Sequence, residues 1–89
     1  MKAIVTVIGR DKVGIIAWIC ALMAERNVNI LDISQTIMQE YFTMIMLVDV
    51  SGCTVTFAEL AELLERAGEE RALAVRIQRE DIFNAMHRA

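Results

Sequence analysis

The chain has few of the residues around which catalytic and metal sites are commonly built. It contains one His, two Cys and no Pro in 89 residues. Cys20 and Cys53 lack the C-x-x-C spacing of a redox or zinc motif, and two isolated thiols in a chain without a secretory signal are more often inert than paired. His87 has no Ser or Cys nearby in the sequence to activate. We therefore expect no metal, no cofactor and no catalytic residue.

Positive charge and long apolar runs are also scarce. The net charge is −3, which gives no electrostatic footprint for nucleic acid. The longest uncharged apolar stretch, Val13 to Ala24, is too short to span a bilayer, and Met1-Lys2 leads directly into a strand pattern without signal-peptide features. These observations predict a cytoplasmic protein that binds neither nucleic acid nor membrane.

Apolar residues, in contrast, are abundant for so short a chain. They make up 56% of the sequence, and the mean hydropathy is +0.45. A single small domain over residues 1–89 has too little interior for this much apolar surface. We expect the remainder to be buried in a homodimer or higher homo-oligomer, or against a protein partner.

Hydrophobic periodicity predicts six elements and a short tail. Four segments read as strands, at residues 2–8, 27–39, 42–50 and 70–79. Two segments have helical period, at 14–26 and from 57 to about 67. The second helix starts at a capping box formed by Thr56 and Glu59, with Val55 and Leu60 as its hydrophobic staple, and Gly68 is the predicted C′ residue. Asp81 is predicted to cap a last short helix over 82–87.

The pattern also predicts which faces are buried. The first helix should pack on a sheet through Ile15, Ile16, Ile19, Cys20, Leu22 and Met23. Its opposite face carries small residues beside Trp18, at Ala17, Ala21 and Ala24. Strict alternation in the second strand puts Ile30, Asp32, Ser34 and Thr36 on one face and Leu31, Ile33, Gln35 and Ile37 on the other. The third strand is apolar on both faces, which predicts a central strand covered on both sides.

The element order βαββαβ predicts an α+β fold, a ferredoxin-like sandwich with both helices on one face of an antiparallel sheet. Its core covers residues 2–79, and a short C-terminal helical extension covers 80–89. The first strand lacks the aromatic residues of an RNA-recognition module, and the first loop lacks the thiols of a copper chaperone. An acylphosphatase-like hydrolase, in which Arg10 would bind the phosphate, is a remote alternative because the loop has no Gly-rich cradle.

The loop after the first strand carries the strongest functional signal, Gly9-Arg10-Asp11-Lys12-Val13-Gly14-Ile15-Ile16. Asp11 is the predicted N-cap of the first helix, and Gly14 allows another backbone or a ligand to approach that helix closely. A helix N-terminus flanked by Arg10 and Lys12 suits a small molecule that bears a carboxylate. The alternative at this point is a strand–turn–helix joint that binds nothing.

This loop, together with Asn27-Val28-Asn29-Ile30-Leu31-Asp32-Ile33-Ser34-Gln35, resembles the ACT domain, a small-molecule-sensing module attached to many enzymes of amino-acid metabolism. The resemblance covers Lys2 to Arg79. The first motif is similar to the ACT domains of formyltetrahydrofolate deformylases and glycine-cleavage regulatory proteins. The whole chain resembles short stand-alone prokaryotic ACT proteins. Many ACT loops carry Pro where this chain has Val13, which leaves the loop less rigid.

The resemblance implies a non-catalytic regulatory module that binds a small ligand, often an amino acid, at the interface between subunits paired side by side or through sheet faces. The family's ligand contacts carry over to two groups of residues, first the loop residues Arg10, Asp11, Lys12, Val13, Gly14 and Ile15, and then Asn29 and Ile30 at the start of the second strand. The amide of Asn29 can both donate and accept. Two alternatives are that Asn29 is only a turn residue and that the protein is a structural or oligomerisation module with a vestigial site.

Overall fold

The computed structural model describes residues 1–10 and 13–81. The elements are β1 (Lys2–Arg10), α1 (Ile15–Glu25), β2 (Asn29–Met38), β3 (Tyr41–Asp49), α2 (Phe57–Glu70) and β4 (Ala74–Arg79). The strands form one sheet in the order β2-β3-β1-β4, and every neighbouring pair is antiparallel. This arrangement confirms the predicted ferredoxin-like sandwich.

The core lies on one face of the sheet. Val5 and Val7 of β1 stand opposite Met46 and Met44 of β3, and all four side chains are fully buried. Both helices add buried residues to the same cluster, namely Ile15, Ile19 and Met23 from α1 and Leu60 and Leu64 from α2. The helices therefore share one face of the sheet, as the sequence predicts.

The N-terminus of α2 agrees with the prediction. The Glu59 N–H donates to Thr56 Oγ1 at 3.1 Å, and the Thr56 N–H donates to Glu59 Oε1 at 3.2 Å. These two reciprocal hydrogen bonds form the capping box and satisfy N–H groups that the helix itself leaves unpaired.

The C-terminus of α2 does not agree with the prediction that Gly68 is the C′ residue. The helix continues to Glu70, so β4 starts at Ala74 and the predicted start of a strand at residue 70 is wrong as well. Ala72 occupies the left-handed C′ position with a φ of 58°. A Cβ at Gly68 would lie 2.6 Å from Val75 Cγ2. Gly68 is thus needed because α2 packs closely on β4.

The prediction that Asp11 caps α1 is also wrong. The N-cap is Gly14, with a φ of 86°, and α1 starts at Ile15. Asp11 and Lys12 lie outside the described residues.

At the C-terminal end of α1, Asn27 adopts a φ of 60°, and the Val28 N–H donates to the Met23 carbonyl at 2.9 Å. This geometry closes α1 with a Schellman motif and turns the chain into β2.

A β-bulge near the start of β2 changes which of its side chains share a face. Ile30 stands opposite Val48, but the next residue of β3, Leu47, stands opposite Asp32. Leu31 is therefore an extra residue on the bulged strand. A single inserted residue exchanges the two faces of everything that follows it, because side chains alternate with a period of two.

As a result, the predicted faces of β2 are correct from Asp32 to Ile37, and the prediction is wrong only in how it connects Ile30 and Leu31, at the bulge, to those faces. Ile33 stands opposite Met46 and Ile37 opposite Phe42, so both lie on the helix side of the sheet. Strict alternation puts Ile30 on the same face as Asp32, Ser34 and Thr36, whereas the structure separates Ile30 from these three. The helix side of β2 is accordingly apolar along its length except at Gln35.

β3 is central, as predicted, since it lies between β2 and β1. The prediction that it is covered on both sides is wrong for a single protomer. Its alternate residues Phe42, Met44, Met46 and Val48 are buried under the helices, whereas Ile45 on the opposite face is 40% exposed.

Near the end of the described chain, Glu80 and Asp81 are already helical, so the C-terminal helical turn starts before Asp81, its predicted N-cap. The predicted helix over 82–87 lies outside the described residues.

Candidate ligand-binding site

The two helices differ in how their first turns are satisfied. Thr56 and Glu59 close the first turn of α2. The N-cap of α1, Gly14, has no side chain, and the first turn of α1 contains no acidic residue. Among the described residues, no side chain accepts a hydrogen bond from this turn. The N-terminus of α1 therefore presents N–H groups and a partial positive charge to whatever lies in front of it.

Gly14 is required for its backbone conformation. Its φ of 86° lies in the left-handed region, which side-chain-bearing residues adopt at a cost. Apart from its two neighbours in the chain, no heavy atom of the described residues lies within 4 Å of the position where a Cβ would stand. The sequence predicts that Gly14 allows another backbone to approach closely, but no described segment of the same protomer does so. The space beside Gly14 is open, and the neighbouring Val13 is fully exposed.

The loop lies at the same end of the sheet as the β2–β3 hairpin. Arg10, the last residue of β1, stands opposite Tyr41, which in turn stands opposite Met38. Met38 and Ile37 are 72% and 57% exposed. The predicted anion-binding end of α1 is thus flanked by uncovered apolar side chains.

The turn between α2 and β4 contacts the chain on both sides of this loop. The guanidinium of Arg71 lies over the ring of Trp18, 4.7 Å from its centroid. A Cβ on Gly9 would collide with the Leu73 side chain, so Gly9 allows this turn to pack against the end of β1. Trp18 is therefore half-buried against the core rather than on an open face, whereas Ala17, Ala21 and Ala24 are exposed as predicted.

Asn29 lies at the opposite end of the sheet. It stands opposite Asp49, which stands opposite Lys2 on its other side. The Ser51 hydroxyl and N–H donate to Asp49 Oδ1 at 2.6 and 2.9 Å, and these hydrogen bonds lower the pKa of Asp49. Asp49 is a fixed carboxylate beside Asn29 that sequence reasoning missed. The Asp-x-Ser spacing, typical of a side chain that bonds to backbone two residues later, was its only local signal.

The structure does not bring the two groups of predicted site residues together within one protomer. Lys2 and Arg10 are the two ends of β1, which puts about 26 Å between the Asn29 end of the sheet and the loop at 3.3 Å per residue. Ile15 and Asn29 are also separated by the whole of α1, about 16 Å at 1.5 Å per residue. A ligand the size of an amino acid cannot contact both groups of one copy.

A separate groove of about 470 Å³ runs between α1 and α2. Leu22 and Leu63 contribute to its lining, with charged side chains from Arg26, Glu59, Glu62, Arg66 and Glu70. None of the predicted site residues that the structure describes lines it. Within residues 1–10 and 13–81, no three His, Cys, Asp or Glu side chains are grouped to hold a metal ion.

Neither α1 nor α2 is long and apolar enough to cross a bilayer.

Close relatives of the chain span its whole length. A UPF0237 protein of Clostridium acetobutylicum is 57% identical over 88 residues, which are 99% of both chains. A UPF0237 protein of Methanocaldococcus jannaschii is 56% identical over 87 residues, 98% of this chain and 97% of that one. These names state no activity.

Solved structures agree with the same fold. The ACT domain protein from Streptococcus pneumoniae is 44% identical, with a TM-score of 0.82 and 98% of each chain covered. At the level of the fold alone, the chain is similar to a protein described as a glycine cleavage system transcriptional repressor (22% identity, TM-score 0.71, 86% of this chain and 44% of that one). It is likewise similar to a formyltetrahydrofolate deformylase from Pseudomonas putida (11% identity, TM-score 0.76, 88% and 28%).

A family model described as the ACT domain matches residues 2–78, nearly the whole described chain. The match includes the loop after β1 and the start of β2, on which the resemblance in the sequence depends. The chain belongs to the ACT-domain family.

Proposed function

We propose that this protein is a non-catalytic regulatory module that binds a small metabolite with a carboxylate, an amino acid in the simplest case, and acts as a cytoplasmic homodimer. The observation that carries the proposal is the N-terminus of α1 at Gly14, where no side chain of the described residues caps the helix and the first turn contains no acidic residue. This end of the helix is suited to an anion. It lies in the loop whose residues match the family.

Each predicted contact has a role in this proposal. The first N–H groups of α1, at Gly14 and Ile15, bind the ligand carboxylate, and Arg10 and Lys12 add positive charge. Asp11 and Val13 are the remaining proposed ligand contacts in this segment. At the second group, the amide of Asn29 hydrogen-bonds the rest of the ligand, beside the half-buried Ile30.

A thermal-shift screen against amino acids, nucleotides and folates tests the proposal. A ligand present at about 100 times its dissociation constant stabilises the protein by roughly 2.7 kcal/mol, which raises Tm measurably. We expect at least one amino acid to do so. A flat screen would instead support a structural or oligomerisation module with a vestigial site, which the exposed apolar residues of β2 also favour.

Single substitutions then locate the site. Asn29→Ala and Asp11→Ala should weaken binding of the amino acid found in the screen, as measured by isothermal titration calorimetry. Thr56→Ala is the control, because Thr56 caps α2 and belongs to neither group of predicted contacts. Equal binding by all three variants would contradict the assigned site.

The hydrolase alternative has its own test. An acylphosphatase-like enzyme would hydrolyse acyl phosphates, and Arg10→Ala would abolish that activity. We expect the wild-type protein to hydrolyse none. Hydrolysis by wild type that disappears in Arg10→Ala would overturn the proposal of a non-catalytic module.

A further inference from the structure

The groove between α1 and α2 exists because the two helices do not pack directly on each other. No Cα atom of α1 lies within 8 Å of a Cα atom of α2. Two helices in direct contact have axes about 8–10 Å apart, which brings their facing Cα atoms closer than that. The apolar side chains beside the gap, Leu22 and Leu63, are only half-buried. An apolar surface between the helices is therefore incompletely covered by the described chain.

The groove is long because the two helices are antiparallel. α2 begins beside the end of α1, where the Thr54 N–H donates to the Arg26 carbonyl at 3.0 Å. It ends beside the first turn of α1, where Arg71 lies over Trp18. The lining follows the 14 residues of α2 from end to end, about 21 Å at 1.5 Å per residue. A groove of this length between two helices fits a third helix better than a metabolite the size of an amino acid.

The two walls of the groove differ in charge. α2 contains five Glu and one Arg, whereas Glu25 is the single charged residue of α1. Both cations that line the groove already have partners. Arg66 pairs with Glu62 at 2.6 Å, and Arg26 pairs with Glu25 at 3.2 Å. The charge that remains on the lining is therefore negative.

This negative charge lies at the two ends of the groove. Among the described residues, Glu59 and Glu70 form no ion pair. The capping box fixes Glu59, whose Oε1 accepts from Thr56 Oγ1 at 2.8 Å. Glu70 ends α2, where the helix dipole already presents partial negative charge and the last turn has no basic residue. The next residue, Arg71, lies over Trp18 instead. A carboxylate in this place is unfavourable for the helix itself and suits a cation supplied from outside.

We propose that the groove between α1 and α2 binds a basic amphipathic helix of a partner protein. Its apolar face would lie against Leu22 and Leu63, and a Lys or Arg at each end would pair with Glu59 and Glu70. These two glutamates are eleven positions apart, about three helical turns, so the partner's basic residues should have the same spacing on one side of their helix. The groove contains none of the described ligand contacts. The proposal thus goes beyond the proposed function and does not depend on it.

A synthetic helical peptide tests the proposal. The probe is alanine-based, with leucines along one face and lysines eleven positions apart beside that face. A control peptide carries glutamates in place of the two lysines. Fluorescence anisotropy should show weak, micromolar binding of the lysine peptide and binding of the glutamate peptide at least about tenfold weaker. No binding of the lysine peptide, or equal binding of the two peptides, would overturn the proposal.

Two neighbouring glutamates distinguish the groove from general attraction to an acidic protein. Glu70 lines the groove, whereas Glu69 is exposed in the same turn and does not line it. Glu70→Lys should weaken binding of the lysine peptide about tenfold, and Glu69→Lys should leave it nearly unchanged. Of two peptides that each have one lysine exchanged for glutamate, one should bind Glu70→Lys again, which also gives the orientation of the bound helix. Equal losses in the two variants, or recovery with neither peptide, would contradict the assigned surface.

The apolar lining has its own test. Leu63→Ala should weaken binding of the lysine peptide, whereas Ile45→Ala, on the opposite face of the sheet, should not. Circular dichroism checks that both variants are folded. Sedimentation equilibrium of the same variants tests the other possible occupant, a second copy of this chain. A smaller assembly for Leu63→Ala than for the wild type would assign the groove to a second copy and overturn the proposal, and an unchanged assembly supports it.

Discussion

At the scale of single residues, the most informative positions are those with a positive φ. Asn27, Gln39 and Ala72 have φ values of 60°, 58° and 58°, and each lies where one element turns into the next. Asn is well suited to this conformation, but Ala is not, because its Cβ is crowded by the backbone. Ala72 is therefore a local cost in an otherwise regular helix end.

Replacing Ala72 with Gly should raise the free energy of unfolding by about 1 kcal/mol, since glycine adopts the left-handed C′ conformation without that cost. Urea unfolding measures the change. Ala58→Gly is the matched control. Ala58 is an exposed residue within α2, where the same substitution should destabilise by about 1 kcal/mol. Destabilisation by both substitutions would contradict the role assigned to Ala72.

Two carboxylates should make stability depend on acid pH. Hydrogen bonds from Thr56 lower the pKa of Glu59 from its ordinary value of 4.5, and those from Ser51 lower that of Asp49 from 3.8. A group with a lowered folded-state pKa stabilises the protein above its ordinary pKa, and the contribution is lost as pH falls through the lowered value.

We therefore expect the free energy of unfolding to fall progressively below a pH of about 4.5. Thr56→Ala should show a shallower loss over the same range, because Glu59 then loses the hydrogen bond from the Thr56 hydroxyl, the largest cause of its lowered pKa, and keeps only the one from the backbone N–H of residue 56. Urea unfolding between pH 7 and 3 measures this, and identical pH dependence in the two proteins would contradict it.

At the scale of elements, only one of the two predicted helix N-caps is found in the structure. Both contain a good N-cap residue near the start, Asp11 and Thr56, but only Thr56 caps. Thr56→Ala should lower the free energy of unfolding by about 1 kcal/mol, as measured by urea unfolding. Asp11→Ala should leave it nearly unchanged, since the N-cap of α1 is Gly14. Equal losses would show that Asp11 supports α1 after all.

Substitutions at Gly14 separate strain from obstruction at the start of α1. Val at a φ of 86° is strained, so Gly14→Val should lose both stability and ligand binding. Asn tolerates positive φ while its side chain enters the open space in front of the helix. Gly14→Asn should thus remain close to wild type in Tm and still bind the amino acid poorly. Wild-type binding by Gly14→Asn would show that the ligand does not lie against this turn.

At the scale of the whole molecule, stability should depend on protein concentration. A dimer is stabilised by mass action relative to unfolded monomers, and the exposed apolar side chains of β2, which include Ile33 and Ile37, are available to be buried in it. The Tm of the wild type should rise between 1 and 100 µM, and that of Ile33→Lys should not. Differential scanning fluorimetry at the two concentrations measures this, and a concentration-independent wild-type Tm would contradict a dimer.

The sequence alone determined much of this protein, because local chemistry decides it. β-Branched runs and helical periods predicted all six elements and their order. The Thr56 to Glu59 box was also predictable, since its hydrogen bonds connect residues three positions apart. The family likewise followed from two short motifs.

Only the tertiary structure decided the features that depend on distant partners. Gly68 is a contact glycine because Val75 lies against it, and nothing in α2 itself shows this. The bulge at Leu31 is visible only in the pairing of β2 with β3, yet it turns Ile33 and Ile37 to the helix side. The separation of Asn29 from the Gly14 loop likewise follows from the antiparallel register. Sequence periodicity predicts which residues of a segment lie on the same face of that segment. The neighbouring strand then decides which face of the sheet those residues occupy and which end of the sheet they lie at.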